Sequence, residues 1–515
     1  MSVAPAVAAP PPPAQDHPDN KLWIDEQIWG HRLWDSQSPW LILMEFLVVA
    51  EAQHRAGTLL ADGSPYRLQY RPRKRMYLRN ILYNNESLVR IAERYADDGT
   101  AWAKWLEWMG ENAQAVPSRD FSYLRARFPS FREFVALVGM LRSSTIEAGS
   151  NKRWSSRFVF PFGPHALYED LNVASGNASR EYIYFGLPGE LLYQMLARSD
   201  RAGELATHFG RAFEGGDPSD RLLGKMQPDI PEDVHVRGNS YLPFERHPCF
   251  DALAEDWAAI LGQGLPRFDA YPHLATLGAL HILLYQLRVA AEVLGEDRPS
   301  LVCEVVAPRK TLVRELSVAS YARNDGLPAR AVERYVASIG ESEEWLRAAV
   351  EPDGFALCKA LMSGRVRWPQ KPDDYVGPPE PERLLADLRR TALARHRQHV
   401  AQVHRSYGTG VGLVSRRGTN RFRYAPTDAF LKAVILANVE VRMEFSAFLA
   451  LLHERYGLVF GDREAAAVLE AGDVDFKAFQ ANADRLERRL KALGLLRRLS
   501  DACAYVENPF RRAAR

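Results

Sequence analysis

Residues Phe476–Leu496, FKAFQANADRLERRLKALGLL, carry the clearest structural pattern in the chain. Apolar side chains recur there at the spacing of one helix face, at Leu486, Leu490, Leu493 and Leu496. Gly494 follows at the point where a helix end favours a left-handed residue. The next residues, RRLSDACAYVENPF, predict two short extended pieces with a bend at Ser500-Asp501. The pattern therefore predicts a helix, a glycine stop, a strand, a turn and a second strand.

The residues before this stretch complete the pattern of a small domain. Thr, Ser and Asp at the predicted helix starts, and glycine at two of the ends, are typical capping residues. The predicted elements are helices over 427–439, 447–456 and 462–472 and a strand over 441–445. From Thr427 to Phe510 this order resembles the winged-helix family, and the resemblance covers about the last ninety residues.

The resemblance implies that the final helix enters a DNA groove while the wing lies on the DNA backbone. On that helix the polar residues available for contact are Lys477, Gln480, Asn482, Arg485, Arg488, Arg489 and Lys491. Asp484 and Glu487 lie among them, and acidic side chains are repelled by phosphates. A winged helix that contacts protein is therefore the alternative, and both interpretations stay open at this point.

Composition sets the broad class. The chain has 515 residues, with 47% hydrophobic and 25% charged residues and a net charge of +2. These values are typical of a globular protein, in which any nucleic-acid signal must come from local clustering of charge. Four widely spaced cysteines favour neither a disulfide framework nor a structural zinc site. We expect a cytoplasmic protein, because the N-terminus has no signal-peptide pattern and no apolar run has membrane-spanning length.

Proline and charge patterns divide the chain, and the predicted fold class is mainly α. We expect a multi-helical body, few short strands and a C-terminal winged-helix domain. The predicted units are a disordered Ala/Pro-rich tail (1–20), an N-terminal helical domain (21–215), a second helical domain (216–365), a Pro-rich linker (366–381), a basic helix and hairpin arm (382–426) and the winged-helix domain (427–515).

Two basic segments are candidate phosphate-binding surfaces. The segment RLQYRPRKRMYLRN, 67–80, contains the cations Arg71, Arg73, Lys74 and Arg75, with Tyr70 and Tyr77 on either side of them. It contains no acid, as expected of a surface that binds phosphates and bases. The arm has ten arginines and two acids between Glu382 and Ala425, a local charge of +8. Its candidate DNA-binding residues are Arg389, Arg390, Arg395, Arg397, Arg416, Arg417, Arg421 and Arg423. The alternative is that acids from elsewhere in the fold neutralise these cations.

Within the arm we predict a helix over 384–407 and a hairpin over 408–424. Because residues two apart on a strand share a face, Arg421 and Arg423 are expected to point the same way. The glycines at 408, 410 and 412 follow no strand and precede no Walker lysine, so we interpret them as backbone flexibility.

Asn151–Asn172 is the candidate polar site outside the C-terminal part. It contains His165, Glu169 and Asp170, residue types that perform acid–base chemistry, although their spacing matches no metal or nuclease motif. A buried, hydrogen-bonded turn is the alternative. The segment RFVFPFGPHALYEDLN, within a large helical body, also resembles uncharacterised proteins of bacterial anti-phage and restriction islands.

These patterns favour a DNA-binding accessory subunit of a multi-protein bacterial machine, with anti-phage defence implied by the second resemblance. Its expected partners are DNA and other protein subunits, without a membrane, metal or cofactor. A non-catalytic scaffold that uses the winged helix for protein contacts is one alternative. A divergent nuclease or other enzyme centred on 151–172 is the other, although the chain has no Walker, kinase, Ser-His-Asp or HExxH pattern.

Overall fold

The structure is a computed structural model and is mainly helical. It describes residues 6–9, 23–30, 33, 35, 37–61, 68–73, 75–83, 87–143, 163–166, 171–174, 177–180, 188–214, 218–228, 237–238, 241–366, 368–369, 371–416, 421–469, 475–500 and 503–511. Lys74, Glu169, Asp170 and Arg417 lie outside these residues.

The described α-helices number twenty-one, and two short 3-10 helices lie at Pro164–Ala166 and Pro372–Asp374. The N-terminal part contains α1 (Ile24–Trp29), α2 (Pro39–Arg55), α3 (Met76–Tyr83), α4 (Ser87–Arg94), α5 (Asp98–Asn112), α6 (Tyr123–Arg127), α7 (Phe131–Ser143), α8 (Pro188–Ala197) and α9 (Ala202–Phe213). The central part contains α10 (Pro218–Gly224), α11 (Pro248–Leu261), α12 (Arg267–Leu294), α13 (Leu312–Gly340), α14 (Glu343–Ala349) and α15 (Gly354–Arg365). The C-terminal part contains α16 (Pro381–His396), α17 (Val400–Gly410), α18 (Asp428–Asn438), α19 (Phe445–Tyr456), α20 (Asp462–Val468) and α21 (Phe476–Ala492).

The strands are short, between two and four residues each. They are β1 (Val7–Ala8), β2 (Gln69–Tyr70), β3 (Leu171–Ala174), β4 (Asn177–Arg180), β5 (Arg237–Gly238), β6 (Phe244–Arg246), β7 (Leu301–Val302), β8 (Val414–Ser415), β9 (Arg423–Tyr424), β10 (Arg442–Glu444), β11 (Leu458–Val459), β12 (Leu496–Arg498) and β13 (Ala504–Glu507). Antiparallel pairs join β1 to β6, β2 to β5, β3 to β4 and β8 to β9. The pairing of β1 differs from the disordered tail predicted for residues 1–20, because an Ala/Pro-rich segment still has backbone groups that can pair with an edge strand.

A single large apolar core is built around α12. This helix packs against α2, α11 and α13. Of its most apolar 18-residue segment, 83% is buried, as in the core helix of a soluble protein. The same core takes in Trp23 near the N-terminus and Val506 near the C-terminus. A second, aromatic cluster around Trp102 and Trp105 lies among α3 to α7.

The core is continuous across the predicted Pro-rich linker. Trp368 and Tyr375 are buried in it, and the next residue, Val376, is 87% exposed. The division of the chain at 366 and 381 stays a prediction. The large aromatic side chains explain why part of a proline-rich stretch is drawn into an apolar interior.

The last part of the chain has the order α18, β10, α19, β11, α20, α21, β12, β13. Three of the strands form one antiparallel sheet, in the order β10-β13-β12. Gly494 has a φ of 71°, which confirms the predicted left-handed stop after the final helix. One cap differs from prediction, because α19 begins at Phe445 and Glu444, not Ser446, is its N-cap and accepts the Ser446 N–H at 3.4 Å.

The arm departs from the predicted hairpin over 408–424. Helix α17 continues to Gly410, and among the described residues that follow it in the arm only Val414–Ser415 and Arg423–Tyr424 pair as strands. A Cβ on Gly408 would lie 2.5 Å from Val414 Cγ2, so this glycine permits close packing of the helix against β8. The interpretation of Gly408 as backbone flexibility is therefore corrected.

Strand β7 joins the helical body to the C-terminal elements. It pairs in parallel with β11, and Cys303 forms a bridge to Tyr424 of β9. The amide N–H of Glu304 donates to the Tyr424 carbonyl at 2.9 Å. A body strand, the arm and the C-terminal unit thus meet at one place, and α21 lies over it.

Candidate nucleic-acid interface

The inner face of α21 fixes the helix to the strand junction. Phe479, Leu486 and Leu490 are buried on this face, as is the polar residue Asn482. The Asn482 side chain donates to the carbonyls of Cys303 and Phe460, both at 3.0 Å, and accepts the Val305 N–H at 2.8 Å. Every strong hydrogen-bonding position of the amide is used, so Asn482 holds the helix in place and is removed from the predicted contact residues.

The two flanks of α21 are anchored by arginines. Arg485 Nε donates to the Val305 carbonyl at 3.2 Å, and Arg489 Nε contacts Asp428 Oδ1 at 2.5 Å. Burial, followed by the neighbouring charge of Arg488, lowers the pKa of Arg485. The guanidinium groups of Arg485 and Arg488 therefore repel each other, and an anion bound between them would relieve that repulsion.

The outer face of α21 carries a row of exposed polar side chains. We call this row the α21 stripe; it consists of Lys477, Gln480, Asp484, Arg488 and Lys491. Their spacing of three or four residues places them along one side of the helix. Arg488 Nε donates to the Asp484 carbonyl at 3.2 Å, and the Gln480 amide reaches Asp462 at 3.4 Å. The stripe has three cations and one acid.

A second group of cations combines residues that follow β7 in the chain with Arg421, which precedes β9. This strand-end cluster consists of Arg309, Lys310, Arg314 and Arg421, of which all but Arg314 are exposed. Lys310 contacts Glu315 at 2.5 Å. The hydrogen bond from Lys310, and then the charges of Arg314 and Arg421, lower the pKa of Glu315. Since one carboxylate faces several cations, the cluster keeps a positive excess on the surface.

Arg423 does not belong to this surface. It is buried on β9 and forms an ion pair with the equally buried Glu304. The expectation that Arg421 and Arg423 point the same way is therefore corrected. Strand β9 begins only at Arg423, and the Arg423 side chain points into the helical body. Arg421 precedes the strand and is exposed.

The other arm arginines differ in their surroundings. Arg389 pairs with Glu333 at 2.8 Å, and Arg390 pairs with Asp387. The guanidinium of Arg395 lies 4.7 Å from the Trp23 ring, a contact within the body. Arg397 and Arg416 are exposed. The local charge of the arm is therefore partly neutralised, by Glu333, which is distant in sequence, and by Asp387 within the arm.

The cations of the first basic segment, 67–80, also differ in their exposure to solvent. Arg71 and Arg73 are exposed, and Arg73 lies 3.7 Å from Glu51. Arg75 is buried, so its side chain offers no surface for phosphate.

His165 has a different acidic partner from those expected. Its Nδ1 lies 2.6 Å from Asp220 Oδ2, and its backbone N–H donates to Asp220 Oδ1 at 2.8 Å. Asp220 is on α10 and is buried, while Glu169 and Asp170 lie outside the described residues. Among the residues that the structure describes, no group of three or more His, Cys, Asp and Glu side chains is arranged to hold a metal ion.

Sequence reasoning missed the contribution of the strand-end cluster. No local pattern in the sequence shows that Arg421 lies near Arg309 and Lys310. No protein-family model, curated protein or solved structure matches the chain.

Proposed function

We propose that the chain binds duplex DNA through the α21 stripe, with the strand-end cluster taking adjacent phosphates. The observation that carries this proposal is the division of α21 into two faces. The inner face is fixed by Asn482, and the outer face presents Lys477, Arg488 and Lys491 without an ion pair to any described residue. A rigid helix with an unneutralised basic side meets the requirements of a groove-binding element.

The order of the described elements supports the predicted winged-helix domain over 427–515. In this proposal α18, α19 and α21 are its three main helices, and β12 and β13 form the wing. Strand β12 follows the C-terminal end of α21 and pairs with β13 in the sheet order β10-β13-β12, which supports the assignment of these two strands as the wing. Arg497, exposed on β12, is then available to a phosphate of the DNA backbone.

The proposed setting is an accessory subunit of a cytoplasmic, multi-protein bacterial machine, with anti-phage defence as the suggested process. The resemblance of RFVFPFGPHALYEDLN supports the process, and the large helical body supports attachment to other subunits. DNA binding by the stripe does not depend on either suggestion, so it is tested separately.

A salt series tests the proposal directly. We expect purified protein to bind duplex DNA in a fluorescence anisotropy titration, with affinity that falls steeply as salt rises. Because each neutralised phosphate contributes about −0.9 to the slope of log K against log salt, three or more contacts predict a slope steeper than about −2.5. Binding that is absent, or that does not change with salt, would overturn the proposal.

Protein contact is the second candidate function, and one surface favours it. Four apolar side chains on α14, on α15 and in the loop between them are exposed, namely Leu346, Val350, Leu357 and Leu361. Such groups on neighbouring helices are typical of a surface that another subunit covers. A chain that fails in the salt series would be assigned to this scaffold function instead.

A further inference from the structure

A stack of aromatic rings reaches the surface beside the arm hairpin. The Tyr321 ring lies on the His404 ring, with centroids 4.6 Å apart and an interplanar angle of 16°. It also stacks with Phe422, with centroids 5.6 Å apart and an interplanar angle of 28°. His404 and Tyr321 are buried, whereas Phe422 is half-buried. Phe422 is therefore the outermost ring of the stack.

Hydrogen bonds fix the inner rings. His404 Nδ1 lies 3.0 Å from Asp325 Oδ1, and His404 Nε2 lies 2.9 Å from the Tyr424 hydroxyl. Tyr424 also accepts from the Asn324 amide at 3.0 Å, and the Tyr321 hydroxyl donates to Asp325 at 3.1 Å. A neutral His404 that donates through Nδ1 satisfies all of these groups. The base of the stack is therefore rigid, so Phe422 is presented in a set orientation.

Two exposed arginines lie over the outermost ring. The guanidinium carbon of Arg416 is 5.1 Å from the Phe422 centroid, and that of Arg405 is 5.8 Å away. Neither arginine has an ion pair with a described acid. Because both side chains are exposed and carry no ion pair with a described acid, they can turn away from the face of the ring, which a flat ligand then occupies while their N–H groups bind an anion.

We propose that Phe422 is a stacking platform for an unpaired nucleobase, with Arg405 and Arg416 binding the phosphates on either side of it. This inference rests on the proposed nucleic-acid function and specifies its ligand, a DNA duplex that continues into a single-stranded segment. Aromatic rings accept any base by stacking, and flanking arginines supply the backbone contacts that single-stranded nucleic acid requires.

The arrangement fits a base better than it fits an apolar partner. The accessible ring is single and is bordered by charged groups, so it offers little area for an apolar side-chain cluster. A base supplies a flat ring of the required size together with a covalently linked phosphate on each side. Arg421, next to Phe422, connects this platform to the strand-end cluster where the duplex is proposed to lie.

Substitution of Phe422 separates stacking from packing. Phe422→Leu keeps an apolar side chain against Tyr321 but removes the aromatic face, and Phe422→Trp keeps the face. The ligand is an oligonucleotide with a duplex part and a single-stranded tail that carries the fluorescent base 2-aminopurine. Stacking on an aromatic ring quenches 2-aminopurine emission, so the readout reports base contact and not overall binding.

We expect wild-type protein and Phe422→Trp to quench the emission, and Phe422→Leu to lose most of the quenching. Affinity for the single strand alone should fall roughly tenfold in Phe422→Leu, the effect of losing one stacked base. Affinity for a blunt duplex should stay the same. Thermal unfolding of both variants checks that the fold is retained.

Equal quenching by wild-type protein and Phe422→Leu would overturn the platform, as would the absence of quenching in wild-type protein. Failure of the proposed duplex function is a separate result, namely no binding of the blunt duplex by wild-type protein. If the variant unfolds, Arg405→Ala with Arg416→Ala replaces it, and unchanged single-strand affinity in that double variant would also overturn the platform.

Discussion

Strand β9 and helix α21 both carry arginines that the sequence offers as DNA contacts, and they meet the body in opposite ways. Arg423 on β9 points inward and pairs with Glu304. Arg488 on α21 points outward, where its Nε donates to the carbonyl of Asp484 and it has no ion pair with a described residue. The difference shows that the partner contributed by the rest of the fold, and not local charge density, decides whether an arginine is available to a phosphate.

The largest effect is expected from breaking the buried ion pair. Arg423→Ala leaves the Glu304 carboxylate without its partner in the interior, which costs about 3–5 kcal/mol of stability. Arg421→Ala, two residues away on the surface, should change stability by less than about 0.5 kcal/mol. Chemical denaturation of the two variants measures the difference. Equal stability would mean that Arg423 is exposed to solvent, and the comparison between β9 and α21 would fail.

A smaller effect is expected from the anchor of α21. Asn482→Ala leaves the Val305 N–H and the carbonyls of Cys303 and Phe460 without their side-chain partner, at a cost of about 2–3 kcal/mol. Gln480→Ala, on the α21 stripe, is the matched control and should be close to neutral. Thermal unfolding of both variants ranks them. If the two substitutions have the same effect, the inner and outer faces of the helix are not distinct.

Helix α21 and its anchor, Asn482, show which features of this region can be predicted from the sequence. Apolar spacing and Gly494 predict the final helix and its stop, because these signals depend on residues within a few positions. Asn482 was predicted as a contact residue, since a polar residue on a helix has no local sign of burial. Its partners, Cys303 and Val305, are more than 170 residues away in the chain. The same separation hides the pairing of Arg423 with Glu304, which are 119 residues apart.

The smallest stability effect is expected at the flank of α21. Arg489 pairs with Asp428, whose side chain is 55% exposed, so the ion pair is screened by solvent. Arg489→Ala should lower stability by no more than about 1 kcal/mol. High salt should reduce the difference between this variant and wild-type protein, and denaturation at two salt concentrations measures it. A loss as large as that of Arg423→Ala would mean that the flank is as buried as the interior of β9.

The central claim is that the α21 stripe is the DNA-binding face. The triple substitution Lys477→Ala, Arg488→Ala and Lys491→Ala removes its cations. Its control removes three exposed arginines elsewhere, each paired within its own segment, through Arg201→Ala, Arg347→Ala and Arg383→Ala. The measurement is the affinity for duplex DNA of both variants and of wild-type protein over one salt series.

We predict that the stripe variant binds at least about tenfold more weakly at low salt and that its salt slope is flatter by about 2 to 3 units. The control should keep the wild-type slope, because it changes the net charge by the same amount without removing phosphate contacts. If the stripe variant and the control share the affinity and slope of wild-type protein, α21 is not the face that meets DNA.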